Sequence, residues 1–489
     1  MRASGILMHI SSLPSAYGIG SMGKEAYRFA DFLKAAKQHF WQILPIGPTG
    51  YGDSPYQSCC SNAGNPYLID VDLLVENGLL TQEEAASAHF DGERVDYAWL
   101  YRTRFDLLRC AYRRGWKRDA QAVNAFIADN SWVRDYGLFM AIKNDRNETW
   151  DRWPEPLRKR EAAALLQAEE AYREQVDFYI YIQFLFFRQW QALRAYLKEQ
   201  SIEVIGDIPI YVPYDSVDVW VHPELFQLDE NGKPTAVAGC PPDGFSADGQ
   251  LWGNPLYDWE RMEQDGFRWW MAHIGAAAKC FDVIRIDHFR GLESYWSVPY
   301  GDKTAVNGCW RKGPGRAFID TLHREYPTLK LIAEDLGFLT QAVIDLQKHS
   351  GFPGMKVLEF AFDEREPGNY LPQNYEENAV CYTGTHDNET LYQWLANAPK
   401  ENIAFAMKCL KVEREEALGE AILEAGMQSK ANWFIAPMQD YLGLGEEARM
   451  NEPSTLSTKN WSWRMKDGAL TSQLAEHIAA MTVAAKRNV

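Results

Sequence analysis

Residues 5–46, GILMHISSLPSAYGIGSMGKEAYRFADFLKAAKQHFWQILPI, read as strand, helix, strand. Gly5 to His9 (GILMH) is a short β-like run that stops at a loop of Ser, Pro and Gly. Lys24 to Lys37 then carries Tyr27, Phe29, Ala30, Phe32, Leu33 and Ala36 at helical spacing. Phe40 to Ile46 (FWQILPI) is the second strand, and it ends in another long turn-rich loop, GPTGYGDSPY. Strands alternating with helices predict an α/β chain with a parallel sheet.

Further on, residues 71–200 are rich in Ala, Glu, Arg and Tyr and read as a mainly helical insertion. Its most apolar stretch, Phe178 to Phe187 (FYIYIQFLFF), is too short to span a bilayer and reads as a buried helix. The alternation then resumes with strands at Glu203–Ile208, Phe281–Ile286, Leu329–Ala333, Met355–Phe360, Val380–Thr383 and Trp433–Ala436. Amphipathic helices at Gly315–Arg324 and Thr340–His349 lie between them. Eight strands result. An open doubly wound sheet accepts that number, but the first loop, SSLPSAYGIG, lacks the helix-opening context of a phosphate-binding motif. The expectation is a (β/α)8 TIM-type barrel with large, mainly helical insertions in its βα loops. No repeat or linker divides the chain, so residues 1–489 read as one domain, grown by insertion beyond the roughly 250 residues of a typical barrel.

The chain carries 50 basic and 67 acidic residues, a net charge of -17, with no polybasic run. A nucleic acid or anionic membrane partner is therefore not expected. Eight cysteines stand at 59, 60, 110, 240, 280, 309, 381 and 409 without a CxxC pair, which suits reduced thiols in a cytoplasmic protein better than a zinc site or disulfide framework. The N-terminus does not read as a signal peptide.

Barrels of this type place their chemistry where strands end. Reading only those positions gives Asp207 in GDIPIYV, then Arg285, Asp287 and His288 in VIRIDHFRG. Glu334 and Asp335 follow in IAEDLG, and His386, Asp387 and Glu389 in YTGTHDNET. Along a strand Arg285 and Asp287 share a face while Ile284 and Ile286 take the other, suited to packing on outer helices. A guanidinium beside Asp287 is expected to lower its pKa and keep it ionised, as a nucleophile requires. A structural ion pair at the barrel mouth explains the same two residues. Glu334 ends an apolar strand, and burial beside Asp287 is expected to raise its pKa, suiting it to donate a proton. Two carboxylates with opposed shifts are the requirement for cleaving a glycosidic bond. Asp335 points away from Glu334 on an extended strand and reads as structural. Two other classes remain open: a divalent-metal enzyme using Asp207, Asp287, Glu334 and Asp387 as ligands, disfavoured by the charge on Arg285, and a glucan-binding protein without catalysis. The 18 Trp, 24 Tyr and 23 Phe suit either a large core or pyranose faces.

With these motifs in order, the sequence resembles the 4-α-glucanotransferases, the amylomaltases or disproportionating enzymes of glycoside hydrolase family 77. The likeness runs from SSLPSAYGIG through YGDSPYQS, GNPYLID, GDIPIYV, PPDGFSADGQLWGNPLYDW, VIRIDHFRG, IAEDLG and TGTHDNET to NWSWR. It implies a retaining transglycosylase acting on maltooligosaccharides and α-1,4-glucans, without cofactor or metal. Asp287 matches the nucleophile, Glu334 the acid/base and Asp387 the transition-state stabiliser. Arg285, His288 and His386 match groups that orient the nucleophile and sugar hydroxyls, and Asp207 matches an acid lining the same site. Tyr56, Phe245 and Trp252 match sugar contacts, the last two on a loop over the glucan, so residues 212–256 are expected as a loop or hairpin insertion covering the cleft. Two departures stand out: Gly244 where many members carry an aromatic, and Pro453-Ser454 where Pro-Gly is common.

Overall fold

The computed structural model describes residues 2–487 apart from 51, 243–245, 338, 364 and 366–369. Its strands are β1 (Ala3–Leu7), β2 (Phe40–Gln42), β3 (Glu203–Ile208), β4 (Ala236–Cys240), β5 (Gln250–Pro255), β6 (Val283–Ile286), β7 (Ser294–Pro299), β8 (Cys309–Lys312), β9 (Lys330–Ala333), β10 (Gly354–Val357), β11 (Ala379–Tyr382) and β12 (Trp433–Pro437). Among the described residues eight of these run parallel in the order β10-β11-β12-β1-β2-β3-β6-β9. The two ends of that order meet. The Ala333 N–H donates to the Pro353 carbonyl at 3.0 Å, and the Met355 N–H donates to Asp335 Oδ1 at 2.7 Å. Asp335 thus fastens the seam, the structural role expected of it. Gly354 leaves room for this carboxyl, since a Cβ there would stand 2.4 Å from Asp335 Oδ2.

The chain folds as a (β/α)8 barrel. All eight expected strands form, and the fourth and fifth begin later than expected, at Val283 and Lys330. The second stops at Gln42, and the sixth ends at Val357, where Leu358–Phe360 winds into a 3-10 turn. Side chains alternate across the barrel wall as the pleat requires. Ile205, Val283, Ile332, Met355, Val357, Val380, Tyr382 and Ile435 share one buried cluster, the lumen side. Val204, Ile208, Ile284, Ile286, Leu331 and Ala333 belong to another, with the outer helices. Burying one such aliphatic side chain contributes roughly 1.5–3 kcal/mol.

Between β2 and β3 the chain is mainly helical from Val71 to Glu199, ending in a 27-residue helix, Arg173–Glu199. Phe178 to Phe186 of this helix are buried, as the apolar run predicts. Two glutamines on it pin the long loop after β2. Gln183 accepts from the Gly64 N–H at 2.7 Å and donates to the Gly64 carbonyl at 2.9 Å. Gln189 does the same for Asp70, at 2.7 and 3.1 Å. That loop carries Tyr56. Strands β4, β5, β7 and β8 form a separate antiparallel sheet in the order β5-β4-β7-β8. Among the described residues no cysteine is in a disulfide, and no helix is long and apolar enough to cross a membrane.

Candidate active site

Register brings the charged residues together. Asp207 pairs with Arg285 across β3 and β6, and Ile286 pairs with Ala333 across β6 and β9. The next rung therefore sets Asp287 beside Glu334. The ladder continues through it: the Asp287 N–H donates to the Ile208 carbonyl at 3.1 Å and the Glu334 N–H to the Ile286 carbonyl at 3.1 Å. Adjacent strands lie about 4.8 Å apart, so the two acids rise from backbone positions about 5 Å apart on one face.

Arg285 is the hub. Its Nη1 donates to Asp207 Oδ2 at 2.5 Å and to Asp287 Oδ1 at 3.0 Å. The Arg285 and Asp207 side chains are almost wholly buried, 5 % and 1 % exposed, whereas Asp287 keeps 29 % of its side chain open. Tyr56 adds a second donor, its hydroxyl 2.8 Å from Asp207 Oδ2, while Asp207 Oδ1 is buried with no hydrogen-bond partner among the described residues. Asp207 stands beside Arg285 across the ladder. Burial pushes the Asp287 carboxyl well up from the usual range, and Asp207, Glu334 and Asp387 add to this, with Arg285 alone among these charges pulling it down. Arg285 was expected to leave Asp287 with a lowered pKa. The net direction is upward because one guanidinium serves two carboxylates in a poorly solvated site.

Glu334 is anchored by backbone. Its Oε2 accepts the His288 N–H at 2.7 Å and its Oε1 accepts the Leu336 N–H at 2.9 Å. His288 adopts a left-handed conformation, φ 49° and ψ 49°, which turns its N–H toward Glu334. Such a conformation costs of order 1–2 kcal/mol in a residue with a Cβ, offset here by a hydrogen bond to a carboxylate. Burial raises the Glu334 pKa against opposing help from Arg285 and those two N–H groups. Upward was the expected direction. The His288 imidazole is held neutral, its pKa pushed down to about 3 by burial and by Arg290. The Trp252 ring meets it edge-on, centroids 4.8 Å apart.

Across the mouth, His386 follows β11. Its ring stacks on Tyr56 with centroids 5.0 Å apart and 16° between planes, and burial lowers its pKa. Asp387 is half exposed, with Oδ2 3.4 Å from His386 Nε2. Asn451 Nδ2 donates to Asp387 Oδ1 at 2.7 Å, and Trp461 packs against both Tyr56 and His386 at 5.9 Å. Sequence reasoning did not single out Asn451 or Trp461. The NWSWR motif marked the segment without assigning Trp461 a place. Of the ten expected site residues, Tyr56, Asp207, Arg285, Asp287, His288, Glu334, His386 and Asp387 lie together at one end of the barrel, joined by the contacts above, with Trp252 against His288. Phe245, with Gly244, lies outside the described residues. Among those residues no group of three or more His, Cys, Asp or Glu is arranged to hold a metal ion.

Comparison with known proteins identifies the family. A family model described as 4-alpha-glucanotransferase matches residues 8–471. The chain is 45 % identical over 481 residues to a 4-alpha-glucanotransferase of Clostridium butyricum, covering 97 % of this chain and 99 % of that one. It is 47 % identical over 497 residues to one from Streptococcus pneumoniae, covering 99 % and 97 %. The solved structure of an amylomaltase from Streptococcus agalactiae in complex with acarbose superposes with a TM-score of 0.97 at 39 % identity, covering all of both chains. The chain belongs to the 4-alpha-glucanotransferase family, glycoside hydrolase family 77, whose members are transglycosylating enzymes.

Proposed function

We propose that this protein is a retaining 4-α-glucanotransferase that moves α-1,4-glucan segments between maltooligosaccharides through a covalent glycosyl-Asp287 intermediate. The observation that carries the reading is the placement of Asp287 and Glu334 side by side on one rung of neighbouring strands. Carboxyls about 5–5.5 Å apart suit retention, whereas inversion needs a wider gap for water.

In the first half-reaction Asp287 Oδ2, the oxygen not bonded to Arg285, attacks the anomeric carbon. The bond to the glycosidic oxygen breaks, and that oxygen takes the Glu334 proton. In the second, Glu334 accepts the proton of an incoming 4-hydroxyl, whose oxygen attacks the anomeric carbon and releases the Asp287 carboxylate. Two nearby carboxyls lose their protons in succession, and the reaction requires that Asp287, bonded to Arg285, be the ionised member of the pair. Asp207 Oδ1 and Asp387 accept glucose hydroxyls, and neutral His288 and His386 donate to them. Tyr56 and Trp252 flank the sugar. Phe245 is assigned a sugar contact by family likeness.

In this reading residues 1–489 act as one catalytic barrel, residues 71–200 are its helical insertion, and residues 212–256 cover the cleft. That cover excludes water and holds the acceptor, favouring transfer over hydrolysis. Maltotriose should yield glucose and longer maltooligosaccharides at a constant number of reducing ends, and Asp287→Asn should be inactive yet folded. Glucose and maltose alone, with reducing ends rising, would replace transferase by hydrolase. Near-normal turnover of Asp287→Asn would remove the nucleophile assignment.

A further inference from the structure

The C-terminal segment reaches back over the barrel mouth and touches the site at Asp387. Asn451 makes two hydrogen bonds there. Its backbone N–H donates to the His386 carbonyl at 3.1 Å, and its side-chain Nδ2 donates to Asp387 Oδ1 at 2.7 Å. Arg449 braces the same corner, with Nε donating to the Asn451 carbonyl at 2.9 Å and Nη2 to the Asp387 carbonyl at 3.3 Å. Farther along, the Trp461 N–H donates to the Met450 carbonyl at 2.7 Å, and the Tyr97 hydroxyl donates to the Trp461 carbonyl at 3.0 Å. The segment is thus tied at both ends.

Asp387 needs such a tie. It sits one residue beyond buried His386 and is 48 % exposed, so its carboxyl would otherwise rotate freely. Besides Asn451, the side chain close to that carboxyl is His386, at 3.4 Å. We infer that Asn451 is a positioning residue for the reaction: it engages Oδ1 of Asp387 and leaves Oδ2 turned toward the sugar. The inference rests on the role assigned to Asp387 above. A carboxylate held in one rotamer stabilises developing positive charge without reorganising at the moment of reaction. A freely turning one does so for only part of the time.

The test uses the full-length enzyme with maltotriose, comparing wild type with Asn451→Ala, Asn451→Asp and Asp387→Asn across pH, alongside thermal denaturation. Asn451→Ala should lower kcat by about 10- to 100-fold, the range of one lost charge-assisted hydrogen bond, with KM little changed. Asn451→Asp keeps the shape but sets a second carboxyl against Oδ1. Its activity should fall further at neutral pH and partly return as pH is lowered, when the pair shares one proton. The other titratable or charged groups facing this corner are neutral His386, Arg449, Arg285, Asp287 and, behind Arg449, Glu389 at 4.0 Å. These remain in both Asn451 variants, so a recovery at low pH seen in Asn451→Asp and not in Asn451→Ala belongs to the new pair. A kcat within twofold of wild type for both Asn451 variants, with Asp387→Asn inactive, would overturn the positioning role alone. So would equal losses at every pH that track lost thermal stability. Activity in Asp387→Asn would instead remove the role of Asp387 itself.

Discussion

Replacing Glu334 by Gln perturbs chemistry and structure in separable amounts. The carboxyl accepts two backbone N–H groups, from His288 and Leu336, one on each oxygen. A Gln amide offers one oxygen and one NH2, so one of the two N–H groups must face a donor. Losing one hydrogen bond to a charged acceptor costs about 1.5–3 kcal/mol, and a melting temperature lower by a few degrees should report it. Loss of the proton donor should slow transfer from maltotriose by about 10²–10⁴-fold, or about 2.7–5.5 kcal/mol of barrier. The two losses separate in an assay with α-maltosyl fluoride, whose leaving group departs without protonation. With azide as acceptor no base is needed either. Fluoride release by Glu334→Gln should then stay far closer to wild type than maltotriose turnover does, with maltosyl azide as product. If both donors slow by the same factor, Glu334 is not the proton donor, and its role is to hold the loop through His288.

Further expectations concern pH, stability and metals. Activity needs Asp287 ionised and Glu334 protonated; burial raises both, so the kcat/KM profile should lie above the range of ordinary carboxyls near 4, and an optimum below about pH 4 would contradict this. Buried Asp440 accepts from Thr383 Oγ1 and the Leu391 N–H, and burial lifts its pKa from 3.8 to about 6. The folded state therefore holds this proton where the unfolded chain has released it. Its contribution, up to about 3 kcal/mol, is present below pH 3.8 and lost as pH rises to about 6, so Asp440→Asn should flatten that part of a stability-against-pH curve. Ser454 adopts φ 63°, a left-handed conformation that suits Gly. Ser454→Gly should raise stability by a few tenths to about 1 kcal/mol, relief of left-handed strain less the entropy of Gly, measurable by denaturant titration. Exhaustive EDTA treatment should leave maltotriose transfer unchanged; a loss restored by a divalent ion would refute the metal-free reading.

Several of these residues could be read before folding is considered. Alternation separates Arg285 and Asp287 from Ile284 and Ile286, and those isoleucines do pack outward with the helices. The apolar strand before Glu334 announced its upward pKa, and the position of Asp335 one residue later announced a different face. Asp335 proves to bond across the barrel seam to Met355, a partner 20 residues away that no local pattern names.

Periodicity, strand ends and motif order, all local properties, determined the barrel, its eight strands and the rim residues that face its axis. Only the closed structure decided how those charges share one another. Asp207 and Arg285 are 78 residues apart, and Asp387 and Asn451 are 64 apart. Parallel register brings the first pair together, and a returning C-terminal segment brings the second. Whether a carboxyl keeps a cation to itself or divides it depends on those long-range contacts and on the solvent they exclude, and neither is encoded in neighbouring residues.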